Sequence, residues 1–166
     1  MIEIGFGGPN ALDSMRQIGR SVDASIVTGI SRVNLKDVRR VIAGVEPARQ
    51  PGINIFAPFS AAFLDKAAAT RERTLDAAVA AIRYAKQHLD YVEFSAQDAT
   101  RSDREFLLTA FSVAIEAGAS VLCVADTVGT ALPGEFGALF HYLRANAAHA
   151  EDVTWSAHCH NDLGLG

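Results

Sequence analysis

The chain has 166 residues, 49% of them apolar and 20% charged, enough for one domain with a sizeable core. Its net charge of −4 is spread over small clusters. No basic stripe points to nucleic acid and no like-charge run points to a solvated tail.

Residues 1–6 (MIEIGF) alternate apolar and polar and read as a strand, broken by Gly7, Gly8 and Pro9. Residues 11–20 read as a short helix. Residues 24–30 (ASIVTGI) are β-branched and apolar, a second strand. Asn34 can cap a helix over 35–45, whose stripe is Leu35, Val38, Val41 and Ile42. Pro47 and Pro51 bracket a loop before a third strand at 52–56. A longer segment runs from 61 to 89, its main helix starting at 70–73. Residues 90–95 (DYVEFS) are the fourth strand. Ser102 and Glu105 form an S-x-x-E capping box for a helix to Glu116, with Gly118 just past its end. Residues 120–125 (SVLCVA) are the fifth strand. Pro133 opens a helix to about residue 147, and 153–158 are the sixth strand.

A strand–helix alternation with short loops folds as a parallel sheet covered by helices, either a (β/α)8 barrel or an open doubly wound sheet. The stretch after the first strand, GFGGPN, does not match G-x-G-x-x-G, which disfavours a dinucleotide site. In such folds the chemistry lies at the carboxyl ends of the strands. Those ends offer Glu3, Thr28, Ser31, Arg32, Asn54, Ser60, Glu93, Ser95, Gln97, Asp98, Asp126, Thr127, His158 and His160. The two histidines stand two apart at the end of one strand, so their imidazoles share a side and can share a divalent metal. The plain alternative is a polar strand exit with two solvated histidines. Glu93 interrupts an apolar strand, so it must face a polar centre or find a partner. Its alternative is a core charge paired with an arginine or lysine. The alternative for Thr127 is a strand-end turn residue.

Three motifs now stand in order: VEFSAQDATRSD at 92–103, ADTVG at 125–129 followed by Pro133, and HCHNDLG at 158–164. Together they closely resemble the isopropylmalate synthase and homocitrate synthase family, the Claisen-condensing branch of the DRE-TIM metallolyase superfamily. The opening IEIGF at 2–6 resembles that family's second barrel strand, and the resemblance covers essentially the whole chain. It implies a partial (β/α)8 TIM barrel, six parallel strands corresponding to family strands 2–7, with residues 1–166 as a single catalytic piece. It implies a divalent metal (Mg²⁺, Mn²⁺ or Zn²⁺) on His158 and His160, and a 2-oxo acid and acetyl-CoA as substrates. It implies an oxo-acid pocket lined by Glu93, Thr127 and Asn54, with Thr127 donating to a substrate oxygen and Glu93 orienting the acid or assisting proton transfer. The implied reaction is condensation of acetyl-CoA with 2-oxoisovalerate to 2-isopropylmalate, in leucine biosynthesis. Homocitrate and citramalate synthases are the near alternatives, and a non-catalytic barrel piece needing a partner chain is the distant one.

Several features depart from the family. Nothing matches its first-strand L-R-D-G-x-Q motif or its eighth-strand asparagine ligand. Asn54 stands where isopropylmalate synthases tend to have histidine. With two matched ligands, the chain as it stands is expected to turn over little. Its open sheet edges are expected to associate with another chain, as in a homo-oligomer. Cys123 and Cys159 make no disulfide framework, no apolar run is long enough to span a membrane, and the opening strand, with no basic stretch or cleavage site, is expected to carry no leader. A soluble, cytoplasmic protein is the expectation.

Overall fold

The computed structural model describes residues 1–5 and 11–166. Six parallel strands lie side by side in sequence order: β1 (Ile2–Ile4), β2 (Val27–Arg32), β3 (Pro51–Pro58), β4 (Tyr91–Gln97), β5 (Val121–Asp126) and β6 (Thr154–Cys159). The sheet curls into a half-barrel, as expected for a partial TIM barrel. Helices α1 (Ala11–Ser21), α2 (Leu35–Val45), α3 (Ala61–Lys66), α4 (Arg71–Lys86), α5 (Arg104–Ala117) and α6 (Pro133–Asn146) connect successive strands. The strand expected over 1–6 stops at Ile4, and its residue 6 lies outside the described residues.

Side-chain alternation divides the sheet into two chemically different faces. The outward residues of the central strands are apolar: Ile53, Ile55, Val92, Phe94, Leu122 and Val124 are fully buried. They meet the apolar stripes of the helices, including Val38, Ala81, Ile82, Leu107 and Leu143. Edge-to-face rings tie the layers together, Phe94 on Phe111 and Phe111 on Trp155. The inward residues are mostly polar, and Asn54, Glu93, Ser95 and Cys123 are buried there.

The helix starts follow from side-chain caps. Asn34 accepts from the Asp37 N–H and Thr70 from the Arg73 N–H. The fifth helix corrects the expectation, because its cap is Asp103, which accepts from the Phe106 N–H at 2.8 Å. Ser102 instead donates to the Asp98 carbonyl at 2.7 Å, so no Ser102–Glu105 capping box forms. A carboxylate at the helix start also complements the helix dipole, which explains why Asp103 takes the position from its neighbour. β2 begins at Val27 rather than at residue 24, because polar Asp23 and Ser25 lie in a bend ahead of the sheet.

Gly29 on β2 shows how closely the layers approach. A Cβ there would stand 2.6 Å from Cγ1 of Val41 and 3.4 Å from Sδ of Met15. Gly29→Ala should therefore cost about 1–3 kcal/mol through overpacking. Urea unfolding of the variant checks this, and an unchanged midpoint would show that α1 and α2 yield.

Candidate active site

The carboxyl ends of the strands open onto one cavity of about 310 Å³. It is lined by Glu3, Asn54, Glu93, Thr127, His158 and His160, and also by Ser95, Gln97 and Cys123. Glu93, Thr127, Asn54, His158 and His160 thus border the same space together with Glu3, Ser95 and Gln97, whereas the other strand-end candidates, Thr28, Ser31, Arg32, Ser60, Asp98 and Asp126, do not line it. The two imidazole rings lie 5.1 Å apart between centroids at the end of β6. Both are exposed, and Nδ1 of His160 stands 3.8 Å from Oδ2 of Asp162. Cys159 between them does not line the cavity.

Glu93 lies deeper than expected. It is the third residue of β4, well before the strand's end, and only 2% exposed. Its depth follows from register: Glu93 pairs with Asn54, midway along β3, and with Val121, the first residue of β5. No arginine or lysine bonds to it among the described residues. The Tyr91 hydroxyl donates to its Oε2 at 3.3 Å. Burial, and secondly the nearby Glu3 charge, push its pKa above the ordinary carboxyl value. Hydrogen bonds from Tyr91, Cys123 and Ser156 oppose that shift. The Cys123 thiol is pushed up to about 12 by burial first and the Glu93 charge second. It is therefore no nucleophile.

Asn54 sits in a relay. Its Nδ2 donates to Oε2 of Glu3 at 2.7 Å, and its Oδ1 accepts from the Ser95 hydroxyl at 2.7 Å. One amide N–H is then left for a ligand. Thr127, just past β5, accepts at its Oγ1 from the Asp98 N–H at 2.8 Å, which leaves its hydroxyl proton able to donate into the cavity.

Two strand-end carboxylates prove to be structural. Asp98 is fully buried in a left-handed conformation at φ 61°. Its carboxylate accepts from Nη2 of Arg101 at 2.7 Å and from the Ser60 hydroxyl. Asp126 accepts from the Thr100 hydroxyl at 2.9 Å and from the Ala131 N–H at 3.0 Å. The sequence reading passed over Cys123 and Ser156 as site neighbours. The signal was present, since Cys123 lies on the inward face of β5 that leads towards Thr127, and Ser156 shares a face of β6 with His158. A separate exposed group of His149, Glu151 and Asp152, with ligand atoms within 4.8 Å of one another, lies ahead of β6, at the end of that strand away from the histidine pair. Among the described residues no helix is long and apolar enough to cross a membrane.

Comparison with known proteins places the chain in a family and a fold. The chain is 42% identical over 168 residues to a 2-isopropylmalate synthase of Lysinibacillus sphaericus and 40% identical to one of Dictyoglomus turgidum. In both cases 99% of this chain is covered but 33% of the relative, so the chain spans about a third of the length of the curated relatives it matches. Among solved structures, it resembles an HMG-CoA lyase of Bacillus subtilis with a TM-score of 0.77 at 18% identity, covering 96% of this chain and 55% of that one. A hydroxymethylglutaryl-CoA lyase of Pseudomonas aeruginosa gives a TM-score of 0.75 at 17% identity, covering 95% and 52%. These likenesses show the fold. The profile of the HMGL-like family matches residues 1–166, and the chain belongs to that family.

Proposed function

We propose that residues 1–166 form one catalytic piece of a cytoplasmic, metal-dependent acyltransferase. It condenses acetyl-CoA with a 2-oxo acid, with 2-oxoisovalerate giving 2-isopropylmalate for leucine biosynthesis. The observation that carries this reading is the meeting of His158, His160 and Thr127 over a buried polar floor in one cavity.

The donor chemistry fits a divalent ion. Two imidazoles on one side of a strand end suit Zn²⁺ best, Mn²⁺ or Mg²⁺ would need oxygen ligands beside them, and Asp162 is an outer carboxylate for His160. Such an ion would polarise the carbonyl of the oxo acid. The chain's own residues supply the rest. The Thr127 hydroxyl donates to a substrate oxygen while its oxygen accepts from the Asp98 N–H. The free amide N–H of Asn54 helps bind the acid. Glu93, held towards its neutral acid form, orients the acid or passes a proton through the floor. A second cavity, of about 580 Å³, shares Phe56 and Gln97 with the first. Arg32, Lys66 and Arg73 border it, and Phe63 and Ala67 line it, which suits the phosphates and apolar arm of acetyl-CoA.

A second reading rests on the sheet edges. Among the described residues β1 pairs only with β2, and β6 only with β5. A barrel piece that works only with another chain, such as a second copy docked through those edges, fits this as well.

The test follows CoA release from acetyl-CoA by the intact protein at saturating Mg²⁺. 2-Oxoisovalerate should be the fastest acceptor. Preference for 2-oxoglutarate or pyruvate would move the assignment to homocitrate or citramalate synthase. Absence of turnover with every oxo acid would refute condensation. Full turnover by the 166-residue chain while it is monomeric, as shown by light scattering at assay concentration, would remove the second reading.

A further inference from the structure

We infer that Gly129 is a positioning residue that seats His160 and Thr127 together, through one turn at the end of β5. For its functional half, this rests on the metal reading above. The turn spans Asp126 to Gly129. The Asp126 carbonyl accepts twice, from the Gly129 N–H at 3.2 Å and from the His160 N–H at 3.1 Å. One carbonyl thus closes the turn and pins the backbone of a residue just past the neighbouring strand. Its carboxylate is itself held by Thr100 and by the Ala131 N–H, so the acceptor has little freedom to move.

Gly129 makes this contact sterically accessible. It adopts φ 64°, and a Cβ built there would stand 2.5 Å from the His160 carbonyl oxygen and 3.0 Å from its carbonyl carbon. Backbone atoms cannot step aside as the end of a long side chain can. A side chain at 129 therefore pushes on the main chain of His160 itself. Thr127 lies inside the same turn and is held from the other side by the Asp98 N–H. The turn consequently sets the distance between the hydroxyl that would face substrate and the imidazole that would face metal. Outer-shell groups of this kind typically govern metal affinity by 10–100-fold.

The experiment compares Gly129→Ala and Gly129→Asn with Gly134→Ala in the intact protein. Gly134 has open space around a would-be Cβ, so it controls for the chemical change alone. The first readout needs no ligand and is hydrogen exchange of the His160 amide. Exchange should speed up at least about tenfold in both Gly129 variants and stay unchanged in Gly134→Ala. The second is Mn²⁺ affinity, which should fall at least about tenfold in the same two variants. Asparagine tolerates positive φ, so full recovery in Gly129→Asn would overturn the close-approach argument. An unchanged amide and unchanged Mn²⁺ affinity in Gly129→Ala would overturn the inference outright. If the unsubstituted protein binds no Mn²⁺, the metal reading and the functional half fall, while the amide still decides the positioning.

Discussion

Replacing His158 or His160 by alanine is expected to lower divalent-metal affinity by more than about a hundredfold, because outer-shell groups alone are worth 10–100-fold. The two imidazoles lie edge-on with their centroids 5.1 Å apart, and each variant leaves a single imidazole at the end of β6. Under the proposed condensation, CoA release should fall by about as much, since carbonyl polarisation and substrate orientation would both depend on the ion. Stability should change little, because both side chains are exposed and neither packs in the core. His149→Ala is the matched control. That histidine belongs to the separate exposed donor group ahead of β6, so its loss should leave catalysis unaltered. Mn²⁺ titration of all three variants, paired with CoA-release assays, checks the result. If His160→Ala retained full affinity while His149→Ala lost it, the metal would belong to the other group and the assignment of the cavity would fail.

The fold was legible because its signal is periodic and local. Outward strand residues such as Ile53, Ile55, Phe94 and Val124 are apolar, and their inward neighbours Asn54, Ser95 and Cys123 are polar or small. The helices announce themselves by Asn34, Thr70 and Pro133 at their starts and by Gly118, at φ 106°, after α5. What was not legible depends on geometry between elements. Ser102 and Asp103 both suit a cap, and the competition is decided by Ser102 finding the Asp98 carbonyl. Asp98 and Asp126 looked like site carboxylates, yet each is consumed by partners from neighbouring segments. The depth of Glu93 depends on register with β3 and β5, which periodicity within β4 cannot reveal. The residues at the site were visible as strand-end chemistry; their bonds to one another were not.

Glu93→Gln is expected to change how stability responds to pH. Burial first, and the Glu3 charge second, raise the carboxyl above its ordinary value of 4.5. A raised value means that the folded state holds this proton more tightly than the unfolded chain does. The resulting stabilisation is complete below the ordinary value and is lost as pH rises through the folded one. Across that window the unsubstituted protein should lose up to about 1.4 kcal/mol per pH unit from this group alone. Glutamine has nearly the same shape and cannot ionise, and its carbonyl can still accept from the Tyr91 hydroxyl that now bonds Oε2. The variant should therefore match the parent near pH 4 and exceed it at pH 8. Cys123 provides a second readout, because the Glu93 charge is the second cause of its raised pKa. Removing that charge should bring the thiol down, though burial will keep it above the ordinary value. Urea midpoints of both proteins from pH 4 to 8 decide the matter. Parallel curves would mean that Glu93 is solvated or paired in solution, and its place as the neutral acid on the cavity floor would be lost.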